Sequence, residues 1–251
     1  MKRGTVDGGQ AHAALDAATR HAKARKIEAL LELDARPGPL RLLEVGTGSG
    51  WIAHYFASHP SGRFTVDAVD VVDSRQVHAG FRYQDVAGTQ LPSADASFDV
   101  VVSNHVIEHV GGEPEQLAHL AELRRVLRAD GVGYLAVPNR WMLVEPHFRL
   151  PLLSWLPAPL ADRYVRLAGK GTHYDCRPLR LPQLERMLDA SGLRAQNVCV
   201  AALREVLAIE RPGSLPQRLL ARVPDGWLQP WRGAIPTLIY RIERDDAASS
   251  R

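Results

Sequence analysis

The stretch that most constrains the fold is LRLLEVGTGSG, residues 40–50, in which an apolar run leads into an acid and three glycines at alternate positions. Leu42, Leu43 and Val45 give the continuous hydrophobicity typical of a parallel strand that is covered on both faces. Glycines let the chain turn sharply after the strand and approach a ligand closely, since they carry no Cβ atom. The pattern predicts a strand, a glycine-rich turn and a helix from Trp51 to Ala57, as in nucleotide-binding α/β sheets.

Acidic residues follow two of the predicted strands. Glu44 lies at the carboxyl end of the first strand, where open α/β sheets bind ligands. A second strand, Phe64 to Val69, ends at Asp70, about twenty residues beyond the glycines, where an acid can accept hydrogen bonds from both ribose hydroxyls. The glycine spacing differs from the dinucleotide pattern G-x-G-x-x-G, so a nucleotide-containing ligand other than a dinucleotide is favoured.

Three later blocks occur in the same order as in a known family. FRYQDV carries Asp85 and Val86, LP…SFD leads into a strand over Phe98 to Ser103, and Leu123 to Asn139 reads as a helix, an Asp-Gly turn and a strand. With the glycine turn, these blocks resemble the class I S-adenosylmethionine-dependent methyltransferases of the type 11-like group. The resemblance implies an α/β fold with a Rossmann-like, doubly wound, mostly parallel seven-stranded sheet and helical insertions.

The resemblance also implies S-adenosyl-L-methionine as the cofactor. The residues expected to bind it follow the first four strands: Glu44, Gly46, Thr47, Gly48, Gly50, Asp70, Val71, Asp85, Val86, Asn104 and His105. Among them, Asp70 would bind the ribose and Asp85 the adenine amino group.

The residues after the fourth strand, NHVIEHV, are candidates for the acceptor side. A similar E-x-x-E-H stretch binds a divalent metal in the ubiquinone-pathway O-methyltransferases and the small-RNA 2′-O-methyltransferases, but here His105 replaces its first Glu. His173 resembles the downstream His of those families. A hydroxyl acceptor must lose a proton, to a base or to a metal that lowers its pKa. We predict His109 and His173 as catalytic residues; a divalent metal is the alternative that is not favoured, and no metal ligand is assigned.

The chain suits one domain over residues 1–251, with a helical cap at 1–39, a lid insertion at 140–180, a second insertion at 204–233 and a disordered tail at 245–251. The lid is apolar but interrupted by prolines, which excludes a membrane span, and it contains the further acceptor-site candidates His147 and Tyr174. The remaining expected elements are helices over Ala11 to Leu33, Glu113 to Ala129 and Leu181 to Ala190, and closing strands over Gln196 to Ala201 and Ala234 to Ile242.

Charge and cysteine content indicate the cellular compartment and the kinds of partner to expect. The formal net charge is only +3 with scattered arginines, so no nucleic-acid-binding surface is indicated. Two cysteines, Cys176 and Cys199, lack C-x-x-C spacing, which argues for a reducing compartment and against a structural zinc site. We expect a cytoplasmic protein, with peripheral contact at the inner face of the membrane as an alternative, because apolar residues and arginines lie together in both insertions.

The function expected from the resemblance is O-methylation of a small molecule or of a glycan or lipid-linked intermediate. The PNRW…EPHFRLPLLSWLP and PTLIY stretches are similar to members associated with bacterial surface-polysaccharide and lipid-linked glycan synthesis. Three alternatives stay open: an RNA methyltransferase, a non-catalytic nucleotide-binding or partner protein on the same fold, and a nicotinamide-dependent dehydrogenase.

Overall fold

The central feature of the computed structural model, which describes residues 16–245, is a seven-stranded sheet. Its strands are β1 Leu40–Val45, β2 Phe64–Asp70, β3 Arg82–Asp85, β4 Phe98–Asn104, β5 Leu127–Pro138, β8 Leu193–Asn197 and β9 Thr237–Arg244, in the order β3-β2-β1-β4-β5-β9-β8. Strand β9 runs antiparallel to the other strands of this sheet, which are parallel to one another. The order reverses between β1 and β4, which confirms the predicted doubly wound fold and creates a crevice at the carboxyl ends of these strands.

Helices cover both faces of the sheet. They are α1 Ala17–Leu30, α2 Trp51–Ala57, α3 Glu113–Val126, α4 Ala158–Leu167, α5 Leu181–Ala190, α6 Cys199–Glu210, α7 Leu215–Leu220 and α8 Asp225–Leu228. Successive residues of β1 point to opposite faces, so that Leu42 packs in the core with α1, α2 and α6, whereas Leu43 packs in the core with α3 and α5. No helix within residues 16–245 is long and apolar enough to cross a bilayer.

Several predicted boundaries were wrong. The first helix ends at Leu30 rather than Leu33, and residues 11–15 of its predicted range lie outside the described residues, as does most of the predicted tail. Helix α3 stops at Val126 because Leu127 already pairs with Phe98 in the sheet, ahead of an irregularity in the β4–β5 ladder. The predicted strand over 196–201 ends at Asn197, whose side-chain oxygen accepts a hydrogen bond from the Cys199 amide as α6 begins.

The lid insertion has a fold of its own. It contains a hairpin of two-residue strands, β6 Val144–Glu145 and β7 Leu150–Pro151, then a 3-10 turn at Leu153–Trp155 and helix α4. Leu150, Leu153, Ala161 and Val165 form a small buried cluster inside the lid. Because this cluster buries apolar surface locally, the segment packs as an ordered unit.

Candidate functional site

A cavity of about 660 Å³ lies at the carboxyl ends of β1, β2 and β4, beneath α1 and the lid. This volume is in the range of small-molecule sites. Nine of the predicted site residues line it: Gly46, Thr47, Gly48, Asp70, Val71, Val86, Asn104, His105 and His109. Glu44, Gly50, Asp85 and His173 are not among its lining residues. Most of the predicted cofactor residues therefore meet at one cavity.

Two glycines shape the floor of the cavity, and both have a left-handed backbone. At Gly46 (φ 73°) an added Cβ would lie 2.4 Å from Val106 Cγ2, so a side chain there collides with the protein. At Gly48 (φ 53°) nothing lies within 4 Å of an added Cβ, so a side chain there would project into open space beside the cavity. Gly46 thus serves packing, whereas Gly48 leaves room for a ligand.

Asp70 is fixed at the edge of the cavity by two backbone amides. Its Oδ2 accepts a hydrogen bond from the Gly48 amide (2.8 Å), and its Oδ1 accepts one from the Val71 amide (2.7 Å). A carboxylate oxygen can accept more than one hydrogen bond, so both oxygens can still accept from a ligand. The turn therefore orients this acid before a ligand arrives. Asn104 also lines the cavity, and its Oδ1 is buried with no hydrogen-bond partner among residues 16–245.

Glu44 lies behind the glycine turn. Its Oε2 accepts hydrogen bonds from Thr47 Oγ1 (2.6 Å) and from the Ala53 amide (3.0 Å) in the first turn of α2. Burial raises the pKa of its carboxyl to about 8, since a low-dielectric interior disfavours the charged form. The structure thus places Glu44 where it holds the turn and the start of α2 together.

Asp85 and Gly50 lie at the margin of the cavity. Asp85 is exposed and accepts a hydrogen bond from the Tyr83 hydroxyl (2.8 Å), while its neighbour Val86 faces the cavity. Gly50 is the residue before α2 and has φ 81°, so that its contribution is to the shape of the turn.

Helix α1 contributes two cationic side chains that the sequence analysis did not identify. Arg20 and Lys23, one turn apart, both line the cavity. Burial lowers the pKa of Lys23 to about 8, and Arg20 Nε is buried with no hydrogen-bond partner among the described residues. Their spacing of three residues places them on one helix face, which was the available sequence signal. This face gives the cavity a positive wall suited to an anionic group.

His105 and Glu108 form a pair after β4. His105 has a left-handed backbone (φ 59°), and its Nδ1 lies 3.3 Å from Oε1 of the fully buried Glu108. Burial lowers the pKa of His105, although the nearby carboxylate opposes that shift. A non-glycine residue in this conformation is strained, and such strain clusters at functional sites.

A second set of side chains converges where the lid meets the cavity. Cys176 Sγ lies 3.9 Å from His109 Nδ1 and 3.8 Å from His147 Nδ1. Buried Glu145 contacts His147 Nδ1 at 2.7 Å, and this hydrogen bond raises the pKa of the imidazole. The sequence analysis singled out both histidines but did not assign Cys176 to the site, because its partners are distant in sequence, and it also missed Glu145, which lies two residues before His147.

His173 lies apart from this set. It is exposed, its Nδ1 is 3.0 Å from Thr172 Oγ1, and it lines a neighbouring cleft of about 550 Å³. That cleft also contains Arg140, Tyr174 and Cys176. The structure therefore brings His109 and His147 together but leaves His173 in the neighbouring cleft.

Comparison with known proteins identifies the central part of the chain. Residues 43–135 match the family described as "Methyltransferase domain". This part of the chain is therefore similar to methyltransferase domains. An uncharacterized methyltransferase of Mycobacterium sp. (strain JLS) is 35% identical to the chain over 143 residues, 54% of this chain and 54% of that protein.

Two further proteins are similar to the chain. A ubiquinone biosynthesis O-methyltransferase of Parvibaculum lavamentivorans is 26% identical over 168 residues, 63% of this chain and 60% of that protein. Phosphoethanolamine N-methyltransferase 2 of Haemonchus contortus, in complex with S-adenosyl-L-methionine, has a TM-score of 0.55 at 15% identity, covering 97% of this chain and 61% of that chain. The last likeness shows the fold alone. The chain spans little more than half the length of the curated relatives named here.

Proposed function

We propose that the chain is an S-adenosylmethionine-dependent O-methyltransferase whose acceptor is a small molecule or a glycan or lipid-linked intermediate. The observation that carries the proposal is Asp70, held by the Gly48 and Val71 amides at the edge of the 660 Å³ cavity. The Gly48 turn and the unpartnered Asn104 Oδ1 fit a nucleoside ligand there.

The chain's own residues would divide the binding of the donor between them. Asp70 would accept hydrogen bonds from the ribose hydroxyls, and Val86 would pack near the base. Arg20 and Lys23 would face the methionine carboxylate, since they form the cationic wall of the cavity. Three residues would support the cavity without lining it. Glu44 and Gly50 would hold the glycine turn in shape, and Asp85 would lie at the margin of the cavity. When bound, the donor supplies an electrophilic methyl group on a sulfonium.

The acceptor side would be formed by the lid and by the segment after β4. Methyl transfer is an in-line displacement, so the protein chiefly has to orient the acceptor and exclude water. Pro146 and His147 of the lid line the cavity beside His109, which lies in the segment after β4. His109, and His173 from the neighbouring cleft, are proposed to contact the acceptor.

The cleft favours an acceptor with polar groups. It is lined by Arg140 and Arg177 together with Glu113 and Asp162, and the buried Arg140 Nε has no hydrogen-bond partner among residues 16–245. A sugar or phosphate-bearing acceptor would place such groups here while its reacting hydroxyl reaches the cavity. The O-methyltransferase relative supports oxygen as the reacting atom.

The acceptor can be found with methyl-labelled donor. We expect label to enter a defined component of the cell-extract fractions with the native chain, and not with the Asp70→Ala variant. Label that enters RNA instead would favour an RNA methyltransferase. No transfer to any fraction, with donor bound, would favour a non-catalytic binding protein.

A contact with the membrane surface is a second element of the proposal. Leu215, Leu219, Trp227 and Trp231, which we call the tryptophan surface, are exposed by 53–76%. Arg218, Arg222 and Arg232 lie within the same segment. Exposed aromatic and aliphatic residues beside arginines are typical of elements that lie in the interface of an anionic bilayer.

A further inference from the structure

A cluster of side chains between the cavity and the neighbouring cleft has the composition of a metal site. The candidate ligand atoms of His109, His147 and Cys176 all lie within 4.8 Å of one another. His109 and His147 line the cavity, whereas Cys176 lies behind them at the wall of the cleft. These residues come from the β4 loop, the lid hairpin and the end of the lid, so that the folded lid is what assembles the group.

The spacing fits a tetrahedral ion. With Zn–S and Zn–N bonds of about 2.3 and 2.0–2.1 Å, a sulfur and a nitrogen on one tetrahedral zinc are about 3.6 Å apart. Here Cys176 Sγ is 3.9 Å from His109 Nδ1 and 3.8 Å from His147 Nδ1. Both sulfur–nitrogen distances are within a few tenths of an ångström of the value for a shared tetrahedral ion.

Buried acids balance and orient the ligands. Glu108 Oε1 lies 3.9 Å from His109 Nε2, on the opposite side of that ring from Cys176. Carboxylates behind a histidine commonly hold it in position for a metal. Glu145 shares a proton with His147 Nδ1, and an ion bound at that nitrogen would displace the proton and leave the carboxylate beside the ion. The Cys176 thiolate and the Glu145 carboxylate would then neutralise a dication at the wall of the cavity.

We propose that His109, His147 and Cys176 bind a zinc-type divalent ion, with Glu145 bordering the fourth position. One sulfur and two imidazole nitrogens are a ligand set that suits zinc better than magnesium or manganese. This group differs from the metal-binding arrangement of the families that the NHVIEHV stretch resembles, because Cys176 and His147 belong to it and His173 does not. The role of the ion rests on the proposed function: it would receive the hydroxyl of the acceptor on the cavity side.

Cobalt substitution tests the site without any turnover. The full chain has only two cysteines, so thiolate-to-cobalt charge-transfer absorption must come from Cys176 or Cys199. We expect one equivalent of Co²⁺ to give this absorption, zinc to abolish it, and the Cys176→Ser and His147→Gln variants to lose it. The matched controls, Cys199→Ala and His173→Gln, should keep it. Glu145→Gln should weaken zinc binding roughly ten- to a hundredfold, as expected for a supporting carboxylate.

Two results would overturn the site: no stoichiometric binding of zinc or cobalt by the folded native chain, or a charge-transfer band that survives in Cys176→Ser. His109→Gln is a second variant for the case in which Cys176→Ser does not fold, because the His109 side chain is 38% exposed. Calorimetry of donor binding on the same metal-free samples separates the two proposals. Donor binding without metal binding would refute only the metal-site proposal. Metal binding without donor binding would refute the methyltransferase proposal.

Discussion

At the scale of single residues, Asp70 is the side chain on which donor binding should depend most. We expect Asp70→Ala to weaken donor binding by about 1.5 to 3 kcal/mol, the range for hydrogen bonds to a charged group. Asp73→Ala is the matched control, because Asp73 pairs with Arg75 on the surface and does not line the cavity. Titration calorimetry measures both. Equal affinities for the native chain and the Asp70 variant would place the ribose elsewhere.

Glu44 predicts a pH dependence of stability. Its pKa in the folded chain is about 8, above its ordinary value of 4.5, so the folded state keeps a proton that the unfolded state releases. The free energy of unfolding should therefore fall as pH rises through this window. In Glu44→Gln, which keeps a neutral acceptor for Thr47 and Ala53, that fall should be smaller.

Thermal or denaturant unfolding between about pH 5 and about pH 8 checks this expectation. The comparison uses the difference between variant and native chain, because His147 also has a raised pKa and titrates in both proteins. Parallel stability curves would show that Glu44 is already ionised in the folded chain.

At the scale of elements, the lid should matter for transfer more than for holding the donor. We expect that replacing residues 152–160 with a glycine-serine linker leaves donor affinity within about twofold and abolishes turnover, because water then reaches the acceptor side. Replacing α7 in the same way is the control, since α7 does not line the cavity. Loss of donor binding together with turnover would make the lid part of the binding site.

The helices and strands show how much of the fold could be predicted from local sequence patterns. The glycine turn, α2 and α5 could be predicted because local signals mark both of their ends: Pro182 and Gly192, for example, bound α5. The end of α3 could not be predicted, because Leu127 fits the apolar stripe of the helix and equally fits a strand. Its pairing with Phe98 decides between them, and that partner is distant in sequence.

At the scale of the whole molecule, the tryptophan surface predicts binding to vesicles that contain anionic lipid. Trp227→Ser with Trp231→Ser should weaken this binding about tenfold or more, since burial of one large apolar side chain contributes about 1.5–3 kcal/mol. Val72→Ser is the control, because Val72 is also exposed and lies outside both insertions. Sedimentation with vesicles measures the difference, and no sedimentation of the native chain would refute the membrane contact.

Prediction of the candidate site from sequence has the same limit as prediction of the helix and strand ends. Residues that directly follow the strands, such as Gly46, Gly48 and Asp70, could be predicted because the sheet order fixes where strand ends meet. Three site residues could not be predicted in this way: Arg20, Glu145 and Cys176. Helix α1 and the lid bring them to the site through tertiary packing that no local pattern encodes. The acceptor side is therefore where sequence and structure differ most.

The central claim is that the cavity above Gly48 and Asp70 binds a methyl donor. Isothermal titration of the full chain with S-adenosyl-L-methionine, and separately with NAD, tests this claim most directly. We expect one-to-one binding of the donor, a large loss of affinity in Asp70→Ala and no binding of NAD. Binding of NAD, or no binding of the donor by a folded chain, would contradict the account.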